Sequence, residues 1–346
     1  METAAFDYDL PEQAIAQLPI EPRDDARLLV DRGRGRQPEH RRIHDLPSFV
    51  RPGDVVVVNT SRVLPARLQL RKPTGGSVEV LLLEESDPAT RTWQALVKPS
   101  RRTADGTVLH AGDDLAVEIG GSGREDGTRE VRLQVRSDGV DTIDALGRYG
   151  LVPLPPYITA PLADPERYQT VFADRPESVA APTAGLHLTP EVIDRCRAAG
   201  AQIVPVELAV GLGTFRPMQS AKVEQHHMHA ERYRVPEATL AACHAADRVV
   251  AVGTTAVRAL ESAARTGQRD GRTELFIHRP FDWRMVDVLL TNFHLPRSSL
   301  LALVDAFVGP RWRDLYADAL AHGYRFLSFG DAMLLDRRDQ PGAGAP

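Results

Sequence analysis

Ala180-Ala-Pro-Thr-Ala-Gly-Leu-His-Leu-Thr189, followed by a helix that starts near Pro190, is small, polar and carries one imidazole, His187. It reads as a strand-like run handing over to a helix. Two later stretches share that build. Val249-Val-Ala-Val-Gly-Thr-Thr255 leads into a helix holding Arg258 and Glu261. Residues 286–290 lead into Thr291-Asn-Phe-His-Leu-Pro296 and an apolar helix from Ser298. Asp54-Val-Val-Val-Val58 adds a fourth: its unbroken β-branched run marks a strand buried on both faces, and it ends in Asn59-Thr-Ser-Arg62. Backbone N–H groups at a helix start favour an anionic group. Ligands of α/β sheets gather beyond the carboxyl ends of strands. Strand ends of this kind predict one shared site.

Working outward, strands are expected at 27–30, 202–208 and 248–252, and helices at 43–50, 191–199, 238–246, 256–265, 300–308 and 315–322. From Val63 the texture changes. Segments 79–83, 93–97, 115–119 and 130–135 are short and β-rich, with Gly, Asp, Ser and Pro clusters between them and no long helix. That pattern predicts a small all-β barrel or sandwich. Residues 141–146 add one helical turn, and Pro153, Pro155 and Pro156 mark a stiff exit. The fold class is therefore α/β, a larger α/β domain with a small all-β barrel domain inserted. Residues 1–62 with 153–335 make the α/β catalytic domain, 63–152 the barrel, and 336–346 a disordered tail.

Composition narrows the function. The 346 residues are 42% hydrophobic and 26% charged, ordinary values for a globular chain. No run approaches the roughly 18 apolar residues of a membrane span, and the amino terminus lacks a signal pattern, so a soluble, cytoplasmic protein is expected. Cys196 and Cys243 are the only cysteines, which excludes a disulfide framework and a CxxC metal site. A net charge of −5 argues against non-specific coating of nucleic acid but leaves room for a local basic patch. Arg32-Gly-Arg-Gly-Arg36, with Arg41 and Arg42, is the densest such stretch, either a solvated hairpin loop or a phosphate contact. No long apolar repeat stands out, so a monomer without an obligate protein partner is expected.

Gly211-Leu-Gly-Thr-Phe215 is a glycine turn without the third glycine of a dinucleotide loop, and no GxxxxGK[ST] loop is present. Thr254 and Thr255 serve as a helix cap or as ligand contacts. Arg258, one turn later, is placed to reach a carboxylate over the helix end. His226, His227 and His229, with Glu224 and Glu231, lack an HExxH helix, so no metal is expected there and one imidazole for proton transfer fits better. His187 and His294 are either tied to backbone or available for acid–base work. Phe215, Tyr233, Phe293 and Tyr324 are core residues or base-stacking surfaces.

Seven motifs in register then carry a resemblance. They are Asn59-Thr-Ser-Arg-Val-Leu-Pro-Ala-Arg67, Ala181-Pro-Thr-Ala-Gly-Leu-His187, Gly211-Leu-Gly-Thr-Phe215 and His227-Met-His-Ala-Glu231, then Ala251-Val-Gly-Thr-Thr-Ala-Val-Arg-Ala-Leu-Glu261, Thr291-Asn-Phe-His-Leu-Pro296 and Tyr324-Arg-Phe-Leu-Ser-Phe-Gly-Asp-Ala-Met333. The chain resembles the S-adenosylmethionine:tRNA ribosyltransferase-isomerases from about Phe6 to Leu335.

The resemblance implies a barrel inserted in an α/β domain and a step of queuosine formation. The ribosyl group of S-adenosylmethionine passes to the aminomethyl group of 7-aminomethyl-7-deazaguanine at the tRNA wobble position. Isomerisation then gives epoxyqueuosine, with adenine and methionine released. S-adenosylmethionine is consumed, so no cofactor is implied; the partners are it and the tRNA anticodon stem-loop.

On that resemblance, His187, His229 and His294 are candidate bases for the acidic C5′ hydrogens, and Asp331 is a candidate partner for an amine. Thr183, Ala184, Gly185, Gly211, Gly213, Thr214, Thr254, Thr255, Arg258, Asn292 and Phe293 are expected to bind S-adenosylmethionine or the deazaguanine. Arg62, Arg67 and Lys98 are expected to meet tRNA phosphates. Ala209 stands where the family usually has a His, and Leu188 where it usually has an aromatic. Ala209 keeps two other readings open: a relative acting on a free deazapurine or other small acceptor, and a non-catalytic RNA- or nucleoside-binding protein.

Overall fold

The computed structural model describes residues 1–33, 36–72, 74–124, 127–136, 141–211 and 217–337. Two compact units emerge. One comprises Met1–Ser61, Pro155–Asp174 and Pro182–Pro346, the other Arg62–Leu154 and Arg175–Ala181. The second unit thus takes in a short segment beyond the expected exit.

The larger unit is built on a nine-stranded sheet in the order Asp270–Thr273, Glu231–Arg234, Gln202–Leu208, Asp54–Asn59, Arg248–Val252, Val288–Asn292, Ala332–Asp336, Arg27–Asp31, Glu39–Arg42. Four neighbouring strands, Gln202–Leu208 to Val288–Asn292, run parallel. Ala332–Asp336 pairs antiparallel with Val288–Asn292, so it starts at the edge where those four end. Glu231–Arg234 does the same on the other side.

Alternation fills the core. Leu28, Val30, Val56, Val58, Val250, Val252, Val288, Leu290, Ala332 and Leu334 form one buried cluster with Ile43, Leu46, Val192, Ile193 and Cys196. The helix Pro190–Ala198 and the 3₁₀ segment Ile43–Phe49 thereby cover that face. The intervening residues Val55, Val57, Val249, Ala251 and Leu289 are also buried, which explains why these strands read as continuous apolar runs. Each such side chain contributes roughly 1.5–3 kcal/mol relative to exposure.

Several elements differ from expectation. Residues 43–49 are 3₁₀ rather than α because Pro47 removes a donor inside the segment. The strand expected at 286–290 is Val288–Asn292, because Arg284, Met285 and Val286 give their N–H groups to the Glu261 carboxylate instead. Asp336 ends a strand and Arg337 donates to the Val286 carbonyl, so the chain stays in the fold through both; 338–346 lie outside the described residues.

In the smaller unit, Arg67–Arg71, Ser77–Asp87, Thr92–Lys98, Arg129–Val135, Leu115–Ser122 and Val108–Ala111 pair antiparallel in that order. Arg71 opposite His110 joins the last strand to the first, which closes a six-stranded barrel, and the short strand Gly150–Leu151 adds to Arg67–Arg71. Leu68, Leu70, Val78, Val80, Val117, Ile119, Val131 and Leu133 fill it, while Gln69, Arg71, His110 and Arg132 alternate to the outside. Residues 141–146 belong to a longer α-helix, Thr142–Tyr149, capped by Asp141.

Candidate active site

The carboxyl edge of the parallel strands collects most of the expected residues. Asn59 is a clamp there: its amide donates to the Leu208 carbonyl (3.0 Å) and accepts from Leu208 N–H (3.2 Å) and Ser61 Oγ (2.9 Å). This buried amide is fully used in joining two strand ends.

After Arg248–Val252, Gly253 takes φ of 88°, a left-handed conformation that favours glycine, and the helix Thr254–Thr266 begins. Its N-cap residue is Gly253, which has no side chain to cap the first turn. Its first-turn N–H groups have no intrahelical acceptor. Thr255 is buried, and its Oγ1 has no hydrogen-bond partner among the described residues. A Cβ built at Gly253 would lie 3.5 Å from the Ala184 methyl and 3.6 Å from Thr255 Oγ1. The helix start therefore faces the 3₁₀ turn Thr183–His187. That turn does not end a strand of the large sheet, because the preceding Arg175–Ser178 pairs with Ser61–Val63 in a separate two-stranded sheet.

The same turn reaches the next strand end. Thr183 Oγ1 donates to Asn292 Oδ1 (3.0 Å), and Asn292 Nδ2 donates to the Leu327 carbonyl (3.1 Å). Leu327 holds φ of 69°, a strained value for a side chain with a γ-branch. A narrow cavity of about 30 Å³ is lined here by Tyr157, Thr183, Asn292, His294, Leu327 and Ser328. Tyr157 Oη lies 2.7 Å from Ser328 Oγ. Tyr157, Leu327 and Ser328 were not anticipated; the only signal was the position of the last two inside the Tyr324–Met333 motif.

On the other flank, a cleft of about 280 Å³ is lined by Gly211, Gln219, His226, His227, His229 and Glu231. His227 and His229 are exposed, while burial and the two neighbouring imidazoles hold His226 below its ordinary pKa. From Gln202–Leu208 to Val288–Asn292 is three strand spacings, about 14 Å. Helix start, cleft and cavity thus share one edge. Gly213 and Thr214, expected at this cleft, lie outside the described residues, as does Phe215.

Four expected chemical groups are tied down. Arg258 is buried and pairs with Glu231, with further bonds to the carbonyls of Leu275 (3.1 Å) and Thr273 (3.3 Å). Burial pulls its pKa down to about 10, which leaves it charged at neutral pH. Glu231 in turn accepts the Gly211 N–H (2.9 Å), so Arg258 secures the cleft wall and is not turned toward a ligand carboxylate.

Asp331 accepts the backbone N–H groups of Arg27 (2.8 Å) and Arg325 (2.7 Å), which fixes a turn. His187 has Nδ1 3.0 Å from the Ala184 carbonyl and Nε2 2.9 Å from the Gly330 carbonyl. Burial pushes its pKa below the ordinary value against the pull of those two carbonyls, so the neutral ring, with one N–H, serves only one of them. His294 Nε2 meets Thr291 Oγ1 (2.9 Å), and burial drives its pKa to about 3.

Other expected residues are placed plainly. Phe293 is wholly buried against Tyr316, Tyr324 and Phe326, so its ring is core and not a stacking platform. Gly185 has Phe172 and Thr170 where a Cβ would go, at 2.7 and 2.9 Å. Leu188 packs in the core cluster, and the Ala209 N–H donates to the Arg232 carbonyl (3.0 Å). In the smaller unit, Arg67 lies 3.6 Å from Glu79, which stands opposite Lys98 across the ladder; Arg62 is half-buried.

Comparison with known proteins finds relatives along nearly the whole chain. Residues 3–335 match a family described as queuosine biosynthesis protein. An S-adenosylmethionine:tRNA ribosyltransferase-isomerase of Thermus thermophilus is 51% identical over 348 residues, covering 96% of this chain and 98% of that protein. One of Gloeobacter violaceus is 50% identical over 354 residues, covering 99% and 97%. A crystal structure of S-adenosylmethionine tRNA ribosyltransferase from Thermotoga maritima superposes with a TM-score of 0.54 at 37% identity, covering 96% of this chain and 99% of that one. With nearly its whole length matched by the family and by these relatives, the chain belongs to the queuosine biosynthesis protein family.

Proposed function

We propose that this enzyme transfers the ribosyl moiety of S-adenosylmethionine to 7-aminomethyl-7-deazaguanine at the tRNA wobble position and isomerises it, giving epoxyqueuosine-tRNA, adenine and methionine. The observation that carries the reading is the buried, unpartnered Thr255 hydroxyl at an uncapped helix start, beside the Thr183–Asn292 hydrogen bond. A carboxylate at that helix end gains from the helix dipole and from unpaired N–H groups, so the methionine carboxylate goes there rather than to Arg258. Thr183 and Asn292 orient the adenine. His229, exposed at the cleft, is the base we assign, because burial holds His187 and His294 well below the ordinary imidazole pKa.

Arg62, Arg67 and Lys98 supply phosphate contacts to the anticodon stem-loop. No cofactor is retained, since S-adenosylmethionine is consumed. We place the enzyme in the cytoplasm as a monomer; among the described residues no helix is long and apolar enough to cross a membrane.

Ala209 favours one second reading, a free deazapurine or other small molecule as acceptor. Adenine and methionine release, measured with the modified anticodon stem-loop and with the free base, separates the two. Release that needs the modified RNA, with a gain in RNA mass, is expected. Release driven equally well by the free base would move the acceptor, and no release from folded protein would leave binding without catalysis.

A further inference from the structure

Away from the carboxyl edge, three metal-ligating side chains meet. His40 comes from the edge strand Glu39–Arg42, Asp318 from the helix Trp312–Ala321, and His322 from the residue that ends that helix. Asp318 and His322 are four apart, so helical geometry puts them on one face. One potential ligand atom from each of the three lies within 4.8 Å of the others, and this is the group of its kind among the described residues. His40 Nε2 is 3.4 Å from Asp318 Oδ2, and the two ring centres are 4.2 Å apart. His322 Nδ1 is 3.3 Å from Asp318 Oδ1 and 2.9 Å from the Asp318 backbone carbonyl, a contact that a metal at Nδ1 would replace.

We propose that His40, Asp318 and His322 form a binding site for a borderline divalent cation of the zinc or nickel class. Two observations point there. First, Asp318 Oδ2 is shielded from solvent yet has no hydrogen-bond partner among the described residues, so a carboxylate lone pair is left uncompensated. Second, His40 Nδ1 is 2.9 Å from Tyr324 Oη, an outer-shell contact of the kind that orients a ligating imidazole; when Nδ1–H donates to that oxygen, the Nε2 lone pair faces Asp318.

Two imidazoles and one carboxylate suit zinc, nickel, cobalt or copper rather than calcium or magnesium. The three side chains are 31%, 29% and 50% exposed, which lets them turn to the roughly 2.0–2.2 Å bonds such a metal needs and leaves room for water ligands. The opposing charge is Arg27, whose guanidinium lies 4.1 Å from the Tyr324 ring centre and donates to the His322 carbonyl (2.6 Å). The site is independent of the ribosyl-transfer reading.

The test is isothermal titration of zinc into metal-stripped, full-length protein. The native chain, His40→Gln and His322→Gln are compared with a His227→Gln/His229→Gln double variant that removes two exposed imidazoles elsewhere. One equivalent in the native chain is expected, with binding at least about tenfold weaker in each of the first two variants and unchanged in the third. Melting in chelator shows that the variants are folded. No saturable binding in the native chain, or binding retained in both His40→Gln and His322→Gln, would overturn the proposal.

Discussion

At the scale of the residue, burial decides what an imidazole can do. His294 sits beside Thr291 with its pKa drawn to about 3, and His187 shifts in the same direction between two carbonyls. Their folded-state pKa values lie below those of the unfolded chain, so between about pH 6.5 and pH 3 the unfolded chain binds protons that the folded one refuses. The stability they support is present above pH 6.5 and is lost as pH falls through that window. For His294 alone, acidification from pH 7 to pH 5 should cost about 2 kcal/mol. Urea unfolding at both pH values should show that loss in the native chain and a loss smaller by about that amount in His294→Gln. Equal losses would contradict the assignment of a buried neutral ring.

At the scale of the element, the site rests on how one turn packs against two strand ends. The turn Thr183–His187 places Ala184 on Gly253 and Thr183 on Asn292, and Gly185 lets the turn lie close against Phe172 and Thr170. In Gly185→Ala the added Cβ meets Phe172 and Thr170, and the overpacking should cost about 1–3 kcal/mol together with a loss of turnover. A variant that melts with the native chain at full activity would show that the turn has slack. The parallel strands and their polar ends were legible because residues 55–58 and 249–252 are continuous apolar runs that stop at Asn59 and Gly253. The outer strands Glu231–Arg234 and Asp270–Thr273, the second of them at the sheet edge, were not, since their charged, short sequences gain strand structure only from neighbours. Nor was the fate of Arg258, because its pairing with Glu231 joins residues far apart in sequence. Leu327 at φ of 69° is equally invisible in a sequence where such a backbone usually signals Gly or Asn.

At the scale of the molecule, a nine-stranded sheet carries four parallel strands that end at one edge, and the closed barrel is a second body with its own core. The proposed function puts the chemistry at that edge, at a helix start whose buried Thr255 hydroxyl has no partner among the described residues, between a cleft of about 280 Å³ and a cavity of about 30 Å³. If S-adenosylmethionine docks there by its carboxylate, Thr255 contributes one hydrogen bond to binding and nothing to holding the fold together. The measurement that tests this most directly is the rate of adenine release at saturating modified stem-loop, against S-adenosylmethionine concentration, for the native chain and Thr255→Val. A hydrogen bond to a charged group contributes about 1.5 kcal/mol, so KM should rise about tenfold while kcat and the melting temperature stay close to native. An unchanged KM in a folded Thr255→Val variant would contradict the placement of the substrate at this strand end.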